Sequence, residues 1–180
     1  MAEQGIGPKV GVVMGSDSDL PVIEDALSVL EEFDVPFEVR ILSAHRSPDE
    51  TSAYARGCMQ RGLQVLIAAA GWAAHLAGVL AAETTLPVIG IPVASSPLQG
   101  LDSLLSTVQM PPGIPVATMA IGKGGARNAA LFAVQILALQ QPLLAERLKA
   151  FRKNMAEDVI NNKNRKLEEY LFERTSGGSK

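Results

Sequence analysis

Phe37-Glu38-Val39-Arg40-Ile41-Leu42-Ser43-Ala44-His45-Arg46-Ser47-Pro48-Asp49-Glu50 passes from one periodicity to another within fourteen residues. Residues 37–42 alternate apolar and polar side chains, the pattern of a strand. Ser47 then stands where an N-cap belongs, Pro48 where the first helical residue belongs, and Asp49 and Glu50 fall in the first turn. Ser43 to Pro48 is therefore a strand-to-helix connection. In open parallel α/β sheets such connections carry ligands, at the carboxyl ends of the strands. This one holds His45, one of two histidines in the chain, beside Arg46. An imidazole moves protons near neutral pH, and a guanidinium presents a fixed fork of donors to phosphate.

The same punctuation recurs on both sides. Apolar runs at 9–14, 65–69, 88–91 and 115–120 read as four more strands. Between them lie helical patterns. After Pro21, residues Ile23, Ala26, Leu27, Leu30 and Phe33 form a core-facing stripe. Further helices are expected at 48–62 with Gly62 as C-cap, at 73–83, at 101–108, and from the glycine-rich turn at 122–125 to about residue 140. Five strands alternating with helices predict a doubly wound, parallel α/β sheet with right-handed crossovers. With 180 residues, 47% hydrophobic, the chain fills one compact domain. The expected division is a disordered lead-in at 1–8, an α/β domain at 9–141, a long helix at 142–174 and a flexible tail at 175–180. That helix carries Leu143, Leu144, Leu148, Phe151, Met155, Val159 and Ile160 on one edge, an edge suited to a neighbouring subunit.

Charge excludes some functions. The net charge is −3, with 7 basic and 13 acidic residues before Gln141 and 9 and 6 from Gln141 onward. No nucleic-acid partner is expected from that balance. The single Cys58 excludes an internal disulfide and a cysteine metal cluster, and it reads as a buried inert thiol. No metal site and no membrane segment are expected, and the protein is read as cytoplasmic.

Two further loops carry chemistry. Gly15-Ser16-Asp17-Ser18-Asp19 follows the first strand and offers hydroxyls and N–H groups at a helix start, a phosphate-cradling arrangement without Walker or dinucleotide spacing. A carboxylate there suits a ribose diol. Ala70-Gly71-Trp72-Ala73-Ala74-His75-Leu76 follows the third strand. Its N–H groups near Gly71 suit a carboxylate. His75 reads first as a histidine that caps or braces the turn, and Trp72 either as a shield for a pocket or as a subunit contact.

Together these segments resemble the class I N5-carboxyaminoimidazole ribonucleotide mutases of purine biosynthesis. The resemblance spans 9–157. It rests on Gly15-Ser16-x-Ser18-Asp19, Ser43-Ala44-His45-Arg46-x-Pro48, Ala73-Ala74-His75-Leu76, Leu101-Asp102-Ser103-Leu104-Leu105-Ser106, Val108-Gln109-Met110-Pro111, Gly113-Ile114-Pro115-Val116-Ala117-Thr118 and Asn128-Ala129-Ala130-Leu131. It implies a flavodoxin-like fold, a homo-octamer and no cofactor. It implies that Ser16, Ser18, Asp19, Ser43 and Arg46 bind a nucleotide substrate, with Asp19 on the ribose. His45 is implied as general acid and base, Gly71 as part of the loop over the reacting carboxylate, and His75 as a second participant. The implied reaction moves a carboxylate from an exocyclic nitrogen to ring carbon C4. Two positions depart from the family pattern, which often has Gly at Trp72 and Pro at Ala77. Arg46 distinguishes this chain from the class II carboxylases of free aminoimidazole ribonucleotide, which typically carry Lys there. The rivals are that class II reaction, a flavodoxin-type FMN electron carrier and a non-catalytic nucleotide-binding module. A response-regulator receiver needs an aspartate ending strand three, where this chain has Ala68-Ala69-Ala70.

Overall fold

The computed structural model describes residues 7–176, so most of the expected lead-in and tail lies outside the described residues. One unit of the chain ends at Leu137 and a second begins at Ala138.

The first unit is built on five strands: β1 (Val10–Met14), β2 (Phe37–Ile41), β3 (Val65–Ala70), β4 (Val88–Pro92) and β5 (Ala117–Thr118). All pair in parallel, in the order β2-β1-β3-β4-β5. β1, β3 and β4 are buried almost throughout, as their unbroken Val/Ile/Ala runs require of strands covered on both faces. The helices are α1 (Leu20–Glu32), α2 (Pro48–Gly57), α3 (Leu76–Glu83), α4 (Leu101–Val108) and α5 (Lys123–Ala138). They cover both sides of the sheet, giving the expected three-layer, flavodoxin-like arrangement. β1 connects toward one edge through α1, and every later crossover runs toward the other edge. Right-handed crossovers then put α1 on the face opposite α2, α3 and α4. The core centres on Val12, Val13, Ile23, Leu30, Leu66, Ile67, Leu80 and Ile89, all fully buried. Each such side chain contributes about 1.5–3 kcal/mol relative to exposure.

Register decides what the loops do. Met14 lies level with Ile41 on one side and with Ala69 on the other, and Ala70 lies level with Pro92. The loops after β1, β2, β3 and β4 therefore emerge at one edge of the sheet. The crevice opens where the order turns back, between the loops of β1 and its neighbours.

Three elements depart most from expectation. α2 stops at Gly57, and an irregular turn follows. Gly62, at φ +90°, closes that turn, with Leu63 N–H donating to the Cys58 carbonyl. β5 keeps two residues instead of six; Pro115 has no N–H to give a ladder, and Gly125 packs so tightly on the Ala120 carbonyl that a Cβ there would overlap it. α3 begins at Leu76, not at residue 73, because Trp72 and Ala74 hold left-handed φ values of +53° and +35°. Ala77 then sits in the first helical turn, where a proline is tolerated.

The second unit is helical: α6 (Pro142–Glu157), a π-helical segment (Asp158–Lys163) and α7 (Asn164–Ser176). The long C-terminal helix is present, with a widened stretch in its middle, and it carries residues 175–176 that were expected in the tail. Leu143, Met155, Val159, Ile160 and Leu167 are exposed along it.

Candidate active site

The loops of β1, β2, β3 and β4 enclose an open cavity of ≈ 530 Å³. Gly15, Ser16, Ser18 and Asp19 line it from the first loop, Ser43 to Arg46 from the second, Ala70 to Leu76 from the third and Ser95 from the fourth. Every site residue picked out in the sequence is among them.

After β1 the chain makes one 3₁₀ turn, Asp17–Asp19, with Ser16 as its N-cap. Ser16 Oγ accepts from the Ser18 N–H at 3.3 Å and from Ser18 Oγ at 2.9 Å, and donates to Asp17 Oδ1 at 3.0 Å. The two hydroxyls are thereby held together at the cavity wall. Asp19 is only 4% exposed. Burial raises its pKa, opposed by hydrogen bonds from the Ser16 and Gly15 backbone. A buried carboxylate with backbone donors behind it is a fixed acceptor for a hydroxyl-bearing ligand.

The second loop is fastened by its own serines. Ser47 occupies the N-cap position of α2 but makes no side-chain cap bond, which corrects the expected cap. Its hydroxyl instead accepts from the Ser43 N–H at 3.0 Å and donates to the Ser43 carbonyl at 3.2 Å, so it is spent on the loop and not on the helix end. Ser43 Oγ accepts from the Arg46 N–H at 3.2 Å and from Arg46 Nε at 3.4 Å. Arg46 Nη2 donates to the Gly15 carbonyl at 2.8 Å. One guanidinium thus spans the β2 and β1 loops and keeps donors in reserve for an anion.

His75 stands at the N-cap position of α3, yet its side chain makes no cap bond, so the capping alternative of its structural reading is not seen. Its Nδ1 lies 2.7 Å from His45 Nε2, with the rings at 77° and their centroids 4.9 Å apart. That contact needs one N–H and one lone pair, so the two imidazoles share a proton between them and each keeps one further nitrogen for a ligand. Both rings are exposed to the cavity.

Trp72 is 61% exposed at the rim. A non-glycine residue in the left-handed region is destabilised by about 1–2 kcal/mol. Trp72→Gly is therefore expected to raise stability by about 0.5–1 kcal/mol, after allowing for the greater freedom of glycine in the unfolded chain. A thermal melt checks it, and a lower midpoint would mean that the indole is held by packing worth more than the strain.

Ser95 is the cavity residue that sequence reading missed. It sits in an uncharged loop, and its only sequence signal was its position just past strand four. Among the described residues no group of three or more His, Cys, Asp or Glu side chains is placed to hold a metal ion. Cys58 is fully buried away from the cavity, its thiol donating to the Tyr54 carbonyl at 3.1 Å, and burial raises its pKa. No helix among the described residues is long and apolar enough to cross a membrane.

The fold and the crevice define a doubly wound α/β protein with its ligand site at the switch point of the sheet. The chain belongs to the AIR carboxylase family, which matches residues 9–158. Among curated relatives, the N5-carboxyaminoimidazole ribonucleotide mutase of Pyrococcus abyssi is 58% identical over 148 residues, covering 82% of this chain and 84% of the relative. That of Mycobacterium tuberculosis is 55% identical over 168 residues, covering 93% and 95%. Among solved structures, PurE of Treponema denticola superposes with a TM-score of 0.78 at 28% identity, covering 88% of this chain and 98% of that one. The resemblance read from the motifs is borne out.

Proposed function

We propose that this chain converts N5-carboxyaminoimidazole ribonucleotide to 4-carboxy-5-aminoimidazole ribonucleotide in purine biosynthesis, as an intramolecular carboxyl-transferring mutase. The observation that carries the reading is the His45–His75 pair, 2.7 Å apart in a crevice whose walls are otherwise serine hydroxyls, one carboxylate, one guanidinium, Trp72, Leu76 and small apolar residues.

The steps balance without an oxidant or reductant. The N–C bond of the carbamate breaks and carbon dioxide leaves. The electron pair stays on the exocyclic nitrogen, which takes a proton. Ring carbon C4 then attacks the retained carbon dioxide, and the C4 proton departs to restore the aromatic ring. One histidine gives the first proton and removes the second, so no net proton is consumed. His45 takes that role. His75, sharing a proton with it, fixes the ring and its tautomer. Ser16, Ser18, Ser43 and Arg46 hold the phosphate, Asp19 the ribose, and the Gly71 loop covers the carboxylate end. The part of the crevice lined by Ala70, Ala73, Ala74 and Leu76 holds carbon dioxide near C4, so proximity does the work.

The domain division follows the same reading. Residues 9–141 form the catalytic domain, and the helix over 142–174 packs on a neighbouring subunit of a cytoplasmic homo-oligomer, an octamer by family resemblance. Phosphate lies remote from the reacting atoms, so it is held alike in ground and transition states. Arg46→Leu is expected to raise KM by about 10–100-fold with turnover changed far less. A collapse of turnover at unchanged substrate affinity would give Arg46 another task.

The reading is tested by offering the purified protein two substrate sets side by side and following the ultraviolet change. Conversion of the N5-carboxylated ribonucleotide alone supports it. Faster carboxylation of free aminoimidazole ribonucleotide with bicarbonate would assign the class II reaction instead.

A further inference from the structure

Ser95 belongs to the wall of the crevice and to no hydrogen bond within it. Among the described residues its hydroxyl has no side-chain or backbone partner, while Ser43, Ser47, Ser16, Ser18 and the neighbouring Ser96 are all engaged. Its backbone N–H is tied to the Val93 carbonyl at 3.1 Å, which fixes the turn that presents it. It lies directly against Gly71. A Cβ on Gly71 would overlap Ser95 Oγ and come within 2.9 Å of Ser95 Cβ. The bare glycine thus makes room for this hydroxyl, and the hydroxyl stays unpaired and open to solvent.

Sheet order says which part of a ligand it meets. The loops run across the crevice in the order β2, β1, β3, β4. Arg46, Ser16 and Ser18 gather at the β2–β1 end, where an anion fits. Ser95 stands at the opposite, β4 end, beyond the histidine pair. A phosphorylated nucleoside anchored by its phosphate at the first end must extend its base toward the second. Resting on the mutase reading above, we propose that Ser95 Oγ–H donates a hydrogen bond to the migrating carboxylate and to the carbon dioxide formed from it, retaining that group until C4 captures it. A hydrogen bond to an ionised group is worth more than a neutral one, and this hydroxyl gives up only water, with no protein partner to break, in making it.

The test is Ser95→Ala in the full-length chain, with two readouts. One is kcat/KM for the N5-carboxylated substrate. The other is partition, the fraction of turnovers that end in decarboxylated aminoimidazole ribonucleotide instead of the C4-carboxylated product. The expected result is a fall of about 10–100-fold in kcat/KM and a shift of partition toward the decarboxylated compound. Ser96→Ala removes a neighbouring hydroxyl whose oxygen accepts the Leu98 N–H, and it does not line the cavity. It should leave partition at the parental value. Gly71→Ala is expected to lose activity through the overlap with Ser95. Adding Ser95→Gly should restore the parental melting temperature but not the parental partition. A parent that converts substrate, with Ser95→Ala matching it in both readouts, overturns this proposal alone. A parent that converts neither substrate set overturns the mutase reading and this proposal with it.

Discussion

His45→Asn is expected to keep its substrate and to turn it over slower by on the order of 10²-fold or more, the usual scale for removing a general acid or base. Asparagine has similar bulk and still hydrogen-bonds, but it exchanges no proton near neutral pH. Nothing in the fold should suffer. His45 is exposed, and among the described residues its side chain hydrogen-bonds to the imidazole of His75 alone. Ser16, Ser18 and Asp19 lie on another loop, and Arg46 is held by its own bonds to Ser43 Oγ and the Gly15 carbonyl, so binding measured by isothermal titration should stay near the parental value while the steady-state rate collapses. His75→Asn should be milder, because it removes the brace and leaves the proton carrier. A His45→Asn protein within a few-fold of the parental rate would show that the proton comes from elsewhere.

A chain ending at Gln140 is expected to lose the assembled state or to lose solubility. The second unit exposes Leu143 at 83% together with Met155, Val159, Ile160 and Leu167. Apolar rows of that length on charged helices need cover, and in the homo-oligomer proposed above a second copy of the chain would supply it. Sedimentation velocity distinguishes the outcomes. The full chain should sediment as an assembly and the shortened one as a smaller species or a precipitate. If the shortened chain keeps the full-length behaviour, the helix over 142–174 has no part in assembly.

Much of this architecture can be read from residue patterns. The strands of Val65–Ala70 and Val88–Pro92 are unbroken apolar runs, and burial on both faces of a parallel sheet demands such runs. The Ser43–Pro48 turn announces itself by the change of period. What escaped reading depends on partners distant in sequence or on backbone strain. His45 and His75 are thirty residues apart, so their contact follows only from strand register. Ser47 looks like a helix cap, but its hydroxyl is spent on Ser43. Trp72 and Ala74 take left-handed φ values that no composition rule predicts for them, and the helix start moves to Leu76 as a result. Ser95 has no charge and no spacing to mark it, and its importance comes from lying against Gly71. The π-helical segment at Asp158–Lys163 interrupts a stretch that is highly charged both before and after it.

In the proposed reaction one carboxyl group moves within the crevice from N5 to C4 without exchanging with the solvent pool. This is tested most directly with substrate carrying ¹³C in the N5-carboxylate, incubated with the protein and excess unlabelled bicarbonate, and read by carbon NMR. The label is expected in the C4 carboxylate of the product, at an enrichment close to that of the substrate. Unlabelled product, or label found only in bicarbonate, would contradict it.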